Sequence, residues 1–108
     1  MLKLICLSIL FIVTCNGMPG GYKDRPELLN DPIIHSLTSF GVEKLFESQN
    51  LKLTNVKVTR VQTQLVAGTN YKIDFTAKSV RTEAQTTCQM VIFVKLDGQR
   101  TLSQSQCQ

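Results

Sequence analysis

Five consecutive residues, Gln64-Leu65-Val66-Ala67-Gly68, have side chains suited to contact with another molecule rather than to catalysis. Leu65, Val66 and Ala67 are apolar, although they lie between two strand-like segments, where a loop tip is usually polar. Gly68 follows them, and glycine accepts the positive φ angle of a tight hairpin turn without a steric clash. Because a hairpin tip lies away from its own core, we expect these apolar residues to bind a partner. Taken alone, so short a stretch is also typical of an ordinary hairpin.

The sequence lacks the residue combinations that enzymes and metal sites need. It has one histidine, His35, and four cysteines. Two of the cysteines, Cys6 and Cys15, lie within residues 1–17, which we expect to be removed, so that Cys88 and Cys107 remain. Two distant cysteines and one histidine do not have the spacing of a zinc site, and they provide no nucleophile beside a base. We therefore expect a protein that is not an enzyme and has no catalytic residue, metal or cofactor.

Residues 1–17 have the pattern of a secretory signal peptide. A lysine precedes an almost unbroken apolar run from Leu4 to Val13, and small residues follow the run. This run is shorter than the roughly 20 residues that a helix needs to cross a bilayer, which disfavours the alternative of a signal anchor. We expect cleavage after Gly17, or alternatively after Cys15, and a secreted, extracellular protein.

The remaining chain, residues 18–108, has the length and composition of one globular domain. The formal net charge of the full chain is +4, but the basic residues are dispersed and form no run. Proteins that bind nucleic acids concentrate their basic residues on one surface, so this distribution argues against a nucleic-acid partner. We expect a monomer that has no membrane contact after signal cleavage and only a weak preference for acidic partners.

One helix is predicted to begin after Asp31, because aspartate is a good N-cap and Pro32 suits the first helical position. We expect the helix to fray near residues 48–50 and to leave His35 on the surface. Gly41 would let the backbone of a strand pack closely against the helix. The apolar face comprises Ile33, Ile34, Leu37, Phe40, Gly41 and Leu45, with Val42 and Phe46 outside it.

Four strands are predicted after the helix, because side chains there alternate with a period of two. The first two strands flank residues 64–68, and the last two, Thr87–Lys95 and Thr101–Cys107, flank a turn at residues 96–99. A helix followed by hairpin-linked strands predicts an α+β fold with one antiparallel sheet. In the first strand, one face carries Val56, Val58, Arg60, Gln62 and Gln64, and the other carries Thr59, Val61, Thr63 and Leu65; in the second, Tyr71, Ile73, Phe75 and Ala77 share a face.

The third strand places Cys88, Met90, Ile92 and Val94 on one face. Cys88 and Cys107 then lie on neighbouring strands, and if they pair within the chain, only that one disulfide is possible. On the chain-entropy model, such a cross-link would stabilise the fold by roughly 3 kcal/mol.

Together these segments resemble the secreted, disulfide-bearing branch of the cystatin family. Residues 64–68 fit the Gln-x-Val-x-Gly hairpin of that family, and Gly20-Gly21 is similar to its N-terminal glycine site. Residues 37–42 are similar to its helix pattern, and the segment from Cys88 to Cys107 is similar to its C-terminal disulfide hairpin. The resemblance spans nearly all of residues 18–108. It implies one long helix packed across a curved antiparallel sheet of four to five strands.

The resemblance also implies reversible, competitive inhibition of papain-like, cathepsin-type cysteine proteases. An N-terminal glycine segment and two hairpins would plug the active-site cleft of the protease. The residues that the resemblance assigns to this contact are Gly20, Gly21, Gln64, Leu65, Val66, Ala67, Gly68, Leu96 and Asp97.

Three departures from the family pattern leave an alternative open. The second hairpin of the family normally carries a Pro-Trp pair, whereas this chain has no tryptophan; the second disulfide of the branch is missing too. Only Met18 and Pro19 precede Gly20 if cleavage follows Gly17. The alternative is a secreted cystatin-like binding protein that has lost protease inhibition. Asn50 is a candidate for contact with legumain-type proteases, although asparagine at a helix end is more typical of a C-terminal cap.

Overall fold

The structure is a computed structural model that describes residues 21–108, so the predicted signal segment and Met18 to Gly20 lie outside it. The elements are β1 (Lys23–Asp24), a 3₁₀ turn (Pro26–Leu28), α1 (Pro32–Gln49), β2 (Leu53–Val66), β3 (Gly68–Ser79), β4 (Gln85–Val94) and β5 (Arg100–Cys107). The strands form one sheet in the order β1-β2-β3-β4-β5, and each neighbouring pair is antiparallel. The predicted α+β fold, with one helix packed on this sheet, is confirmed.

Local signals in the sequence determine both ends of α1. The Asp31 side chain accepts a hydrogen bond from the Ile33 amide at 2.9 Å, and Pro32 occupies the first turn, as predicted. Asn50 adopts a left-handed conformation with φ 54° and donates its amide to the Phe46 carbonyl, so it is a C-terminal cap. His35 is exposed, as expected. None of the helices within residues 21–108 combines the length and the apolarity needed to cross a bilayer.

The core lies between one side of α1 and one face of the sheet. The prediction for the helix was wrong at Ile33, which is 39% exposed, whereas Thr38 is buried in the stripe that faces the sheet. The stripe runs along positions three or four residues apart, and Ile33 lies about a quarter of a turn from its midline. Buried residues of the stripe are Ile34, Leu37, Thr38, Gly41 and Leu45, and those of the sheet include Val61, Ile73, Phe75, Ala77, Cys88, Met90 and Ile92.

Gly41 does allow close packing, but against a side chain rather than a strand backbone. A Cβ atom on Gly41 would lie 2.3 Å from Sδ of Met90. The thioether of Met90 therefore fills the space that a larger helix residue would occupy. The expectation of strand backbone at this position was wrong.

A β-bulge in β2 overturns part of the predicted alternation. The register shifts between Val58 and Arg60, so that Val58 lies opposite Phe75 while Val61 lies opposite Ile73. An extra residue in one strand reverses which face the following side chains point to. Val58 and Val61 consequently both pack towards the core, although strict alternation placed them on opposite faces. The predicted face of β3, with Ile73, Phe75 and Ala77 buried, is confirmed.

The short strand β1 was not located from the sequence. It pairs Lys23 with Thr63 and Asp24 with Gln62 at the edge of β2. Asp24 also forms a two-point ion pair with Arg60, since Nε lies 2.8 Å from Oδ1 and Nη2 lies 3.3 Å from Oδ2. The hydrogen bond from Arg60 holds the pKa of the Asp24 carboxyl below its ordinary value.

This ion pair gives a testable pH dependence. In R60Q, which lacks the guanidinium, the pKa of Asp24 should rise towards about 3.9, the value of an unperturbed aspartate. Because the native state lowers this pKa, the pair stabilises the fold above about pH 4, and that stabilisation is lost as the pH falls through the native value. An NMR titration of the Asp24 carboxyl carbon measures the pKa in both proteins. R81Q, in the distant β3–β4 loop, is the control; equal pKa values in wild type and R60Q would contradict the prediction.

Candidate functional site

The first hairpin carries its apolar residues to one end of the sheet. Val66 lies opposite Gly68, so that Ala67 alone forms the tip between β2 and β3. The Leu65 side chain is 77% exposed, Ala67 is exposed and Val66 is half-buried. These residues protrude from the domain instead of covering its core, which leaves them available for contact with another molecule.

Gly68 is required by its conformation and by its surroundings. Its φ angle is +134°, a value that side-chain-bearing residues rarely adopt. A Cβ atom here would lie 2.6 Å from the Val94 carbonyl oxygen and 2.8 Å from the Phe93 ring. The absence of a side chain therefore lets the first hairpin pack directly against the end of β4.

Gln64 stabilises the base of the first hairpin. It lies opposite Asn70, and Nδ2 of the Asn70 side chain donates a hydrogen bond to Oε1 of Gln64 at 3.1 Å. This bond joins the two strands just below the apolar tip. Cross-strand side-chain pairs of this kind stabilise the pairing of neighbouring strands.

The second hairpin reaches the same end of the sheet. Val94 at the end of β4 lies opposite Thr69, and Thr69 lies opposite Leu65. Beyond Val94 the chain turns, and the Leu96 side chain is 88% exposed. The Asp97 carboxylate accepts a hydrogen bond from the Gln99 amide at 2.9 Å, so this predicted contact residue also shapes its own turn.

Residues 21–24, which we call the N-terminal segment, lead towards this end as well. Lys23 lies opposite Thr63, and the strands are antiparallel, so Tyr22 and Gly21 run alongside β2 towards Leu65. Gly21, two residues before Lys23, is exposed. Gly20 lies outside the described residues. We call the surface formed by Gly21, Leu65 to Gly68, Leu96 and Asp97 the hairpin edge.

Other residues that the sequence singled out lie away from the hairpin edge. Cys88 and Cys107 form a disulfide across β4 and β5, at the end of β4 opposite to Leu96. Asn50 precedes β2, whose first residues pair with the end of β3 at Ser79. It therefore lies at the other end of the sheet, where it caps α1.

Comparison with known proteins gives consistent matches. The family profile described as "Cystatin domain" matches residues 20–107. Salivary cystatin-L2 of Ixodes scapularis is 30% identical over 110 residues, which covers 84% of this chain and 83% of that protein. Salivary cystatin-L of the same species is 25% identical, over 96% of this chain and 92% of the relative.

Among solved structures, the salivary cystatin from the soft tick Ornithodoros moubata superimposes with a TM-score of 0.68. The match covers 84% of this chain and 99% of that chain, at 23% sequence identity. At so low an identity the likeness establishes the fold, namely a helix packed on an antiparallel sheet.

Substitution of three glycines by alanine tests whether residue 68 must be glycine because of its positive φ angle alone or also because of its close packing against β4. G68A combines backbone strain with the clash at Val94, and should lower the free energy of unfolding by about 2–3 kcal/mol. G98A has a φ of 94° but open space around it, and should cost only about 1 kcal/mol of strain. G21A has open space and no positive φ, and should be neutral. Urea unfolding measures all three, and equal losses for G68A and G98A would refute the packing role.

Proposed function

The chain belongs to the cystatin family, whose members are protease inhibitors and not enzymes, and we propose that it inhibits papain-like cysteine proteases reversibly and competitively. The hairpin edge is the surface that we assign to the protease. Leu65, Val66 and Ala67 enter the active-site cleft, Leu96 contacts the cleft from one side, and the segment at Gly20 and Gly21 lies on the other.

The observation that carries this proposal is the exposure of Leu65 and Leu96 at one end of the sheet, at 77% and 88%. Full burial of an exposed leucine on binding contributes roughly 1.5–3 kcal/mol. The cleft of a peptide-cleaving enzyme has apolar subsites that provide such burial. Burial of the apolar side chains of this edge in the cleft therefore favours binding.

Preorganisation supports the proposal further. The bond between Gln64 and Asn70 and the packing of Gly68 on Val94 restrict the first hairpin on both sides. A rigid binding segment loses little conformational entropy when it docks, so more of its contact energy appears as affinity. The hairpin fills the cleft with its side chains and excludes the substrate, which makes the inhibition competitive.

Secretion is part of the proposal. Residues 1–17 have the signal-peptide pattern, and residues 18–108 form the mature cystatin domain. Mass spectrometry of protein secreted from transfected eukaryotic cells should find an N-terminus at Met18, or at Asn16 if cleavage follows Cys15. Retention of residues 1–17 in the secreted protein would contradict the assignment.

Titration against papain tests the inhibition directly. Folded, oxidised protein should inhibit at sub-micromolar concentration, and added substrate should raise the apparent inhibition constant, as competition requires. V66D would place a charge in a dry cleft, at a cost of at least about 2 kcal/mol, or about 30-fold in affinity.

V56D is the matched control, because Val56 is an exposed valine at the opposite end of the same strand. Its inhibition constant should equal that of the wild type. Equal inhibition by V66D and V56D would refute the assignment of the first hairpin. Absence of inhibition at tens of micromolar would favour the alternative, a cystatin-like binding protein without inhibitory activity.

The second hairpin lacks the tryptophan that is usual in the family, and Leu96 is the exposed apolar side chain there. L96W should tighten papain inhibition about fivefold or more, because tryptophan buries more apolar area and is a frequent energetic anchor in interfaces. V80W, on the exposed loop at the other end of the sheet, is the control for non-specific binding caused by an added exposed tryptophan. The assignment of Leu96 fails if L96W and V80W have the same affinity.

A further inference from the structure

The strand β1 is too small to hold itself in place. It consists of Lys23 and Asp24, and both residues are exposed. Fixing the backbone of each residue costs about 1–2 kcal/mol of conformational entropy, and no buried side chain of β1 offsets that cost. Contacts from neighbouring residues must therefore keep the N-terminal segment on the edge of β2.

Such contacts come from both faces of the sheet. On the outer face, the Arg60 guanidinium binds Asp24 at two points, and the Lys72 ammonium lies 4.4 Å from the centre of the Tyr22 ring. On the core face, Nε of Arg25 donates to Oγ1 of the buried Thr63 at 3.1 Å. A two-point arginine–carboxylate pair fixes direction as well as distance, which a single-point contact does not.

We propose that Asp24 and Arg60 are positioning residues that hold the N-terminal segment in line with the hairpin edge before a protease binds. The proposal rests on the proposed function and deepens it. Neither residue lies at the hairpin edge, since Asp24 is opposite Gln62 and Arg60 comes several residues before Leu65. Their effect on inhibition acts through the placement of Tyr22 and Gly21.

The ordering role has a readout that needs no protease. The Arg25 amide donates to the Val61 carbonyl at 2.8 Å, immediately after β1. In R60Q and in D24N, hydrogen exchange of the Arg25 amide should be several-fold faster than in the wild type, because the segment leaves β2 more often. Thermal unfolding should change only slightly, because the ion pair is exposed and stabilises the fold little, and neither substitution removes a buried side chain. K57Q, which removes an exposed cation from the same strand, should leave the exchange rate unchanged.

The positioning role is tested by inhibition of papain at low salt. R60Q and D24N should each raise the inhibition constant about two- to fivefold, in the range that an exposed ion pair supports. The double variant D24N/R60Q should be no weaker than either single variant, because both remove the same interaction. The charge-reversed variant D24R/R60D should recover part of the loss, whereas K57Q should bind as the wild type does.

The outcomes separate this proposal from the proposed function. Unchanged exchange at Arg25 in R60Q overturns the ordering role whatever the inhibition. Faster exchange with unchanged inhibition, in a protein whose wild type does inhibit papain, overturns the positioning role alone. Independent, additive losses from D24N and R60Q also overturn it. A wild type that does not inhibit at all overturns the proposed function and the positioning role with it.

Discussion

The close approach of Gly68 to the end of β4 is the constraint on which the candidate site depends. Because a Cβ atom there would meet the Val94 carbonyl and the Phe93 ring, the two hairpins pack together only if residue 68 has no side chain. The same contact places the first hairpin against the end of β4, just before the turn that carries Leu96. One missing side chain thus determines how two exposed apolar groups are presented together.

The rest of the domain supports this arrangement from a distance. The stripe of α1 packs on the core face of the sheet, and the disulfide between Cys88 and Cys107 joins β4 and β5 far from the hairpin edge. Near the second hairpin, Arg100 donates a hydrogen bond from Nη1 to Oγ of Ser36 at 2.9 Å, which connects the base of β5 to the helix. The core and the disulfide stabilise the scaffold, while the hairpin edge retains exposed apolar side chains that the fold itself does not need.

The sequence predicts those parts of the fold that have local causes. Asp31 and Pro32 define the start of the helix, and the alternation around Ile73 identifies β3, because each signal lies within a few neighbouring residues. The bulge before Arg60 has no such signal, since a glycine is absent there and the shift is visible only in the pairing with β3. Strand β1 is too short for any periodicity. The ion pair that holds it joins residues 36 positions apart, which a single sequence does not reveal.

The charge distribution of the hairpin edge explains why the N-terminal segment matters. The first hairpin has no charged residue from Gln64 to Gly68, and the Asp97 carboxylate accepts a hydrogen bond within its own turn. A surface of this kind gains affinity from apolar burial, which any peptide-binding cleft provides, and little from charge complementarity. With the inhibition proposed above, discrimination between related proteases depends on the N-terminal segment, which we assign to their specificity subsites. An ordered segment discriminates better than a mobile one, because a mobile segment loses entropy in every complex and adapts to more than one cleft. Under the same proposal, the two-point attachment of β1 by Arg60 favours selectivity between proteases, because it orders the N-terminal segment before a protease binds.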